Sequence, residues 1–274
     1  MKNIKIVVAT HKKYIMPEDS LLYFPIQSGS FYGDDLGYQR DNVGENISEK
    51  NIEYNELCAM YWAWKNIDAD YIGLVHYRRY FSCTSKREKS IDRILNRKTI
   101  ERLLQNDSII LPHKNIYPNS IENHYIHSYA GNKKLLIDDI SSLKRAVSKV
   151  TPDYEAALYD VLKSHSAHMY HMCIMKKDFY KDYCNFMFSV IFEVERIRGN
   201  RIPSDRYIGG LSEFLLDVWL YKNKYSYIEL GLVELERENK VKRLFRVLKR
   251  MFIKNDYIWD EKRIERNTKD EHKN

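Results

Sequence analysis

The residues able to do acid–base or phosphate chemistry in this 274-residue chain fall into a few short clusters. One is His76-Tyr77-Arg78-Arg79-Tyr80. Two adjacent guanidinium groups can grip phosphate oxygens through forked, charge-assisted hydrogen bonds. They can equally form a surface ion pair with Asp68 or Asp70, and spacing alone does not separate the two readings. A second cluster is Glu213 and Asp217, which a helix would place on one face. A carboxylate there can take a proton from an attacking hydroxyl, or can simply favour the positive end of a helix. Histidines form the third group. His165, His168 and His171 stand three residues apart, but no carboxylate lies close to them in sequence, so His168 reads as a ligand contact rather than a metal ligand. His124 and His127 flank Tyr125 in an aromatic stretch over 118–131, read as a loop or short helix. Packing is the plainer role for every one of these histidines.

Elements that would position the clusters can be read from periodicity. Ile4 to Thr10 is an apolar run that predicts a buried parallel strand, followed by the polar turn His11-Lys12-Lys13. Residues 17–50 lack periodicity and are rich in Gly, Asp, Asn and Ser, which predicts a long functional loop. A helix is expected over 55–66, with Leu57, Met60, Tyr61 and Trp64 on one face, then a second buried strand over 71–76. That strand delivers His76 and the arginine pair to its carboxyl end, where open α/β sheets bind ligands. Further helices are expected over 91–105, 133–149, 152–164, 177–198 and 210–222, with strands over 108–111, 169–175 and 225–232. The fold class is therefore α/β, one domain over 1–238 with a mostly parallel central sheet flanked by helices.

The tail, 239–274, differs in kind. Over 240–252, Val241, Leu244, Phe245, Leu248, Met251 and Phe252 recur at helical spacing, and Lys240, Lys242, Arg243, Arg246, Lys249 and Arg250 fill the other face. Such a basic amphipathic helix suits an anionic membrane surface; packing on the domain is the alternative. A net charge of +7 likewise favours polyanionic partners. Cys58, Cys83, Cys173 and Cys184 are scattered without ligand-like spacing, which argues against a zinc site or disulfide framework and for a reducing compartment. No run resembles a signal peptide or membrane span, so the expected location is cytoplasmic, peripheral at the inner face of the cell membrane. The 22 tyrosines suit ring-stacking sites, although composition bias accounts for them as well.

Longer motifs carry a resemblance. The run Asp41 to Asn51, then Glu56-Leu57 and Tyr61-Trp62-Ala63-Trp64-Lys65-Asn66, then Tyr71 to Phe81, resembles a bacterial glycosyltransferase family of capsular and exopolysaccharide synthesis, long catalogued only as a domain of unknown function. The similarity continues through Ser166-Ala167-His168-Met169, Met175-Lys176-Lys177, Leu211-Ser212-Glu213 and Asp217-Val218-Trp219, covering roughly residues 3–235. It implies a GT-A-like fold and a hexose, galactose in pyranose or furanose form, moved from a UDP-sugar. Many such enzymes hold a divalent metal on an Asp-x-Asp motif at the end of this strand. Here the place reads His76-Tyr77-Arg78-Arg79, without an acid, so a metal-independent reaction is expected, with Arg78 and Arg79 neutralising the donor diphosphate and no cofactor. Glu213, opening the helix after Gly209-Gly210, is the expected base of an inverting reaction, with Asp217 sharing or supporting it. Thr10, His11 and Lys12 fall where uracil and ribose sit in this fold class. Asp41, Asn46 and Lys50 are expected to line the donor site, and His168, His124 and His127 to contact acceptor or sugar. A lipid-linked oligosaccharide acceptor would explain the basic tail.

Rival classes read the same features differently. A nucleic-acid-binding protein fits the charge and aromatics, but much of the excess charge sits in one tail, so no nucleic-acid partner is expected. A non-catalytic, membrane-docked scaffold of a polysaccharide assembly complex would use that tail without binding a donor. A hydrolase with paired carboxylates lacks an evident acid pair. Kinases and dehydrogenases are disfavoured because no glycine-rich phosphate loop is present.

Overall fold

The computed structural model describes residues 2–83, 90–105, 109–128, 133–199 and 206–236. The segment 240–252, expected to be a basic amphipathic helix, lies outside them. Residues 1–235 form one compact unit.

Chain order begins with three strands, β1 (Ile4–Thr10), β2 (Tyr23–Gln27) and β3 (Gln39–Arg40). Two helices follow, α1 (Asn51–Tyr54) and α2 (Leu57–Asn66), then the hairpin β4 (Tyr71–His76) and β5 (Arg79–Ser82). After α3 (Arg97–Leu103) come β6 (Ile109–Pro112) and β7 (Asn115–Ile116), then α4 (Ile121–Ser128), α5 (Lys133–Val150) and α6 (Glu155–Lys163). The chain continues through β8 (Ser166–Ala167), β9 (Cys173–Lys176), α7 (Lys177–Arg198), α8 (Tyr207–Ser212), α9 (Leu215–Asn223) and β10 (Tyr227–Glu234).

Eight strands form one sheet in the order β3-β2-β1-β4-β5-β10-β6-β9, and β9 also pairs with β4. The ring β4-β5-β10-β6-β9 thus closes on itself as a small barrel, with β1, β2 and β3 as a parallel wing. The expectation of a mostly parallel sheet is corrected. Pairings β3–β2, β2–β1, β1–β4 and β10–β6 are parallel, but β4–β5, β5–β10, β6–β9 and β4–β9 are antiparallel. The reason is connection length: His76 pairs directly with Arg79 across a two-residue turn, and only an antiparallel neighbour can follow so short a link.

Alternation along β1 splits the core in two. Val7 and Ala9 join the cluster built by α2, α5, α6, α7, α8 and α9, while Ile4, Ile6 and Val8 join Leu22, Tyr71, Val75, Tyr80 and Phe81 on the other face. A strand buried on both faces can be β-branched throughout, which is why β1 is so legible. The long α7 buries Tyr180, Tyr183, Cys184, Met187, Ile191 and Val194 at three- and four-residue steps. Each large apolar side chain so buried contributes about 1.5–3 kcal/mol. Many tyrosines belong to this core: Tyr54, Tyr80, Tyr125, Tyr180 and Tyr183 are fully buried.

Two strands, β2 and β3, lie inside the expected loop region. Pro25 interrupts the strand signal of β2, yet it sits opposite Val8 of β1 where β3 has not begun to pair, so its missing N–H leaves no ladder bond unmade. The helix expected over 210–222 is two helices broken at Glu213-Phe214.

Because β1, β2 and β4 run parallel, their carboxyl ends, Thr10, Gln27 and His76, share one edge. Antiparallel β9 starts at that edge, which brings the preceding residues 168–172 to it. Antiparallel β10 ends with Glu234 opposite Arg79. Gly73, in the middle of β4, permits the close approach of β9: a Cβ there would lie 2.8 Å from the Cys173 carbonyl oxygen and 2.9 Å from the Ile174 side chain. Gly73→Ala is expected to destabilise the protein by about 1–3 kcal/mol, as other overpacked cores do, read as a lower denaturation midpoint at unchanged m.

Candidate active site

The carboxyl-end edge gathers Glu56, His76, Arg79, Tyr170, His171 and Glu213. Glu56 precedes the first turn of α2, His76 closes β4 and Arg79 opens β5. Tyr170 and His171 precede β9 in left-handed backbone, with φ of 75° and 53°. Neither is glycine, so each costs of order 1–3 kcal/mol that the surroundings must over-determine. The surroundings do so through side chains. Glu213 Oε1 accepts the Tyr170 amide at 3.3 Å, and the Tyr170 carbonyl accepts from His76 Nε2 at 2.7 Å. One helical turn beyond Glu213, Asp217 accepts the His168 amide at 2.8 Å and its Nδ1 at 2.7 Å. Glu213, at the break between α8 and α9, and Asp217, within α9, therefore clip the 168–171 segment.

His171 is the centre of the cluster. Its Nδ1 lies 3.2 Å from Glu56 Oε1 and its Nε2 lies 2.9 Å from Ser212 Oγ. The Ser212 hydroxyl donates to the Gly209 carbonyl at 3.0 Å, so its oxygen is left to accept from the ring. Dense packing works against a charge on His171, but the hydrogen bond and charge of Glu56, aided by Glu213, outweigh it and hold its pKa above the usual value. Packing would also raise Glu56, yet the His171 hydrogen bond and the charges of His76 and His171 bring it down to about 2. Burial and the neighbouring Glu56 charge push Glu213 up to about 7, against the pull of His171, the Tyr170 amide and Arg79. Burial holds His76 below its ordinary value. The pair Glu56 and Glu213 thus has the split environment that separates acid and base roles.

Glu56–His171–Ser212 has the connectivity of a nucleophilic triad. Ser212 is fully buried and its proton is committed to Gly209, so it cannot attack a substrate. Two of these residues, together with Glu213, also bear on the metal question that the sequence raises. Among the described residues, Glu56, His171 and Glu213 bring ligand atoms within 4.8 Å of one another, a donor set that could suit a divalent ion. To ligate an ion His171 would have to give up its contact with Glu56 or with Ser212, and no carboxylate stands at His76-Tyr77-Arg78-Arg79.

Arg79 stacks its guanidinium 4.4 Å above the Tyr170 ring, and its buried Nε has no hydrogen-bond partner, with Glu234 Oε1 at 3.8 Å. Arg78 lies over the Tyr77 ring at 5.8 Å. Tyr77 also receives the edge contact of His11 at 5.3 Å and Lys12 Nζ at 5.0 Å, and Thr10 Oγ1 donates to the Lys12 carbonyl at 2.6 Å. Thr10, His11, Lys12, His76, Arg78, Arg79 and Glu213 are therefore gathered along one edge.

Other expected site residues have different duties. Asp41 is fully buried and accepts from the Gly29 and Ser30 amides at 2.7 and 3.0 Å and from the Ser30 and Ser48 hydroxyls at 2.7 and 2.5 Å. It organises the loop rather than lining its surface. Asn46 bridges Gly44 and Ser48 within that loop, and Lys50 pairs with Glu195 at 2.5 Å. His168 is buried, its Nε2 3.1 Å from Glu229 Oε1, and Asp217 is paired with Lys114 at 3.1 Å. Burial would raise Asp217, but the His168 hydrogen bond and the Lys114 charge hold it low. Asp217 thus braces His168 rather than sharing the place of Glu213. His124 packs on Tyr117 at 4.0 Å, and Tyr117 feels the charge of Glu213. His127 is exposed and bonds the Asn123 carbonyl. Glu213 closes α8 rather than opening a helix, because Gly209 and Gly210 lie inside α8. Glu56 and His171 gave no pairing signal in the sequence; they stand 115 residues apart. An open groove of about 970 Å³ along α5 and α6, with Lys144, Lys149, Tyr159 and Asp160 in its wall, carries no comparable cluster among the described residues.

The mixed sheet flanked by helices makes this an α/β protein, and strand ends that gather charged residues are where such sheets commonly bind ligands. Residues 5–224 match the family described as a domain of unknown function (DUF4422), and the chain belongs to that family. Among solved structures it is similar to the apo structure of the bifunctional glycosyltransferase WbbM, with a TM-score of 0.76 and 26% identity. The match covers 86% of this chain and 46% of that one, so the chain spans about half the length of the protein it resembles. No curated protein matches it.

Asp41→Ala strands the buried Ser30 amide, the part-buried Gly29 amide and two hydroxyls. It is expected to cost about 3 kcal/mol in urea denaturation, the range for buried donors left unpaired, while nucleotide affinity measured on the folded fraction stays within about threefold.

Proposed function

We propose that the chain is a glycosyltransferase that moves a hexose, galactose in pyranose or furanose form, from a UDP-sugar to a glycan acceptor of capsular or surface polysaccharide synthesis. The observation that carries the reading is Glu213: a half-buried carboxyl with a pKa near 7, at the strand-end edge, beside Arg79. Its likeness to a bifunctional glycosyltransferase over most of its length supports the same reading.

In this reaction the acceptor hydroxyl gives its proton to Glu213 as its oxygen bonds to the anomeric carbon. The bond from that carbon to the diphosphate oxygen breaks, and UDP leaves with the electron pair, inverting the anomeric centre. Arg78 and Arg79 neutralise the leaving diphosphate, a role favoured by the unpartnered Nε of Arg79. Uracil and ribose lie along Thr10, His11 and Lys12, near Tyr77. Tyr117, backed by His124, borders the acceptor on the Glu213 side. The acceptor is a lipid-linked oligosaccharide, reached by docking 240–252 on the anionic inner face of the membrane. Among the described residues no helix is long and apolar enough to cross a membrane.

Glu213→Gln is expected to lower kcat by about 10²–10⁴, the worth of a positioned base, with UDP affinity nearly unchanged. Retention of more than about a tenth of kcat would remove Glu213 from the role. In the wild type, kcat/KM against pH is expected to rise through a single limb near pH 7. Below it Glu213 carries its proton and cannot act; above it the carboxylate is free. A profile flat from pH 5.5 to 8.5 would contradict this.

A further inference from the structure

We infer that His171 is a positioning residue for Glu213: clamped as an imidazolium between Glu56 and Ser212, it supplies the fixed positive charge against which the Glu213 carboxylate forms. The inference rests on Glu213 as base and adds the residue that makes a carboxylate tolerable there.

Hydrogen-bond accounting carries it. A neutral imidazole has one donor and one acceptor nitrogen. The Nδ1 of His171 faces a carboxylate oxygen, which can only accept. Its Nε2 faces the oxygen of a hydroxyl whose proton goes to Gly209. Both nitrogens therefore donate, and the ring is cationic. The ring is also immovable: it is 2% exposed, on a left-handed residue, next to another left-handed residue whose amide is held by Glu213 itself.

Every charged group facing the ring fits this role. Glu56, ahead of α2, supplies the permanent negative partner. Arg79, from β5, faces Glu213 as well but is shared with Glu234. Burial holds His76, from β4, below its ordinary value, and its Nε2–H is spent on the Tyr170 carbonyl. Without His171, Glu213 would face the Glu56 carboxylate with the Tyr170 amide and Arg79 left to offset it. A like charge that close disfavours ionisation.

Two measurements test this. The first needs no substitution: in protein labelled with ¹⁵N-histidine, the ring assigned by its contacts to Glu56 and Ser212 is expected to carry protons on both nitrogens at pH 7.5. A singly protonated ring would overturn the inference. The second is the pH profile of His171→Gln, which keeps a polar side chain without the charge. The acid limb of kcat/KM is expected to move up by at least about one unit. Activity at pH 7 then falls about fivefold or more and recovers to within about threefold of wild type at pH 9. A loss that is equal at every pH, with the limb still near 7, would mean that His171 is only structural. That outcome leaves Glu213 in place as base, whereas an active Glu213→Gln would remove the base and leave the doubly protonated ring untouched.

Discussion

Two carboxylates, Glu56 and Glu213, and two cations, His171 and Arg79, meet where the parallel strands end, and their charges must balance where water has only partial access. Burying a charge without a partner is prohibitive, so each group sets the state of the others. Glu56 and His171 settle into a hydrogen-bonded pair, with Glu56 down to about 2 and His171 raised. Glu213 is left with the residual field, and its pKa rises to about 7. A group poised there can exchange a proton at physiological pH, which no isolated glutamate does.

The frame exists to hold that balance. Parallel β1, β2 and β4 point their carboxyl ends at the cluster, and antiparallel β9 returns the chain to the same edge. The two-residue turn between β4 and β5 keeps Arg79 next to His76. The break between α8 and α9 places Glu213 at the junction, while Asp217, within α9, braces His168 from below. Backbone strain at Tyr170 and His171 is the consequence of forcing amides and an imidazole onto these carboxylates. Strain of this kind concentrates at functional sites because only a rigid surrounding can sustain it.

Some of this was legible in the sequence and some was not, for physical reasons. β1, β4 and α7 announce themselves because burial on both faces, or on one helical stripe, demands a visible pattern. β2 hides behind Pro25, and β3 is two residues long, too short for any period. Arg79 and Glu213 could be singled out in the sequence as groups able to grip phosphate or take a proton, but not as neighbours, since only the fold brings them to one edge. Asp41, Asn46 and Lys50 were legible only as polar loop residues, and polarity cannot distinguish a side chain that meets a ligand from one that ties its own loop. The Glu56–His171 contact spans 115 residues; only the sheet order brings it about. The tyrosine excess has its plainest explanation in the core, where many of those rings are buried.

In the proposed reaction Arg78 and Arg79 bring to the donor diphosphate the positive charge that a metal would otherwise supply. The most direct test is a calorimetric titration of UDP into the wild-type protein in excess EDTA, repeated with Arg79→Ala. Binding that persists in EDTA and is lost or weakened at least about tenfold by the substitution is the expected result. Binding that appears only when Mn²⁺ or Mg²⁺ is restored, or that Arg79→Ala leaves unchanged, would contradict a site whose positive charge comes from the chain itself.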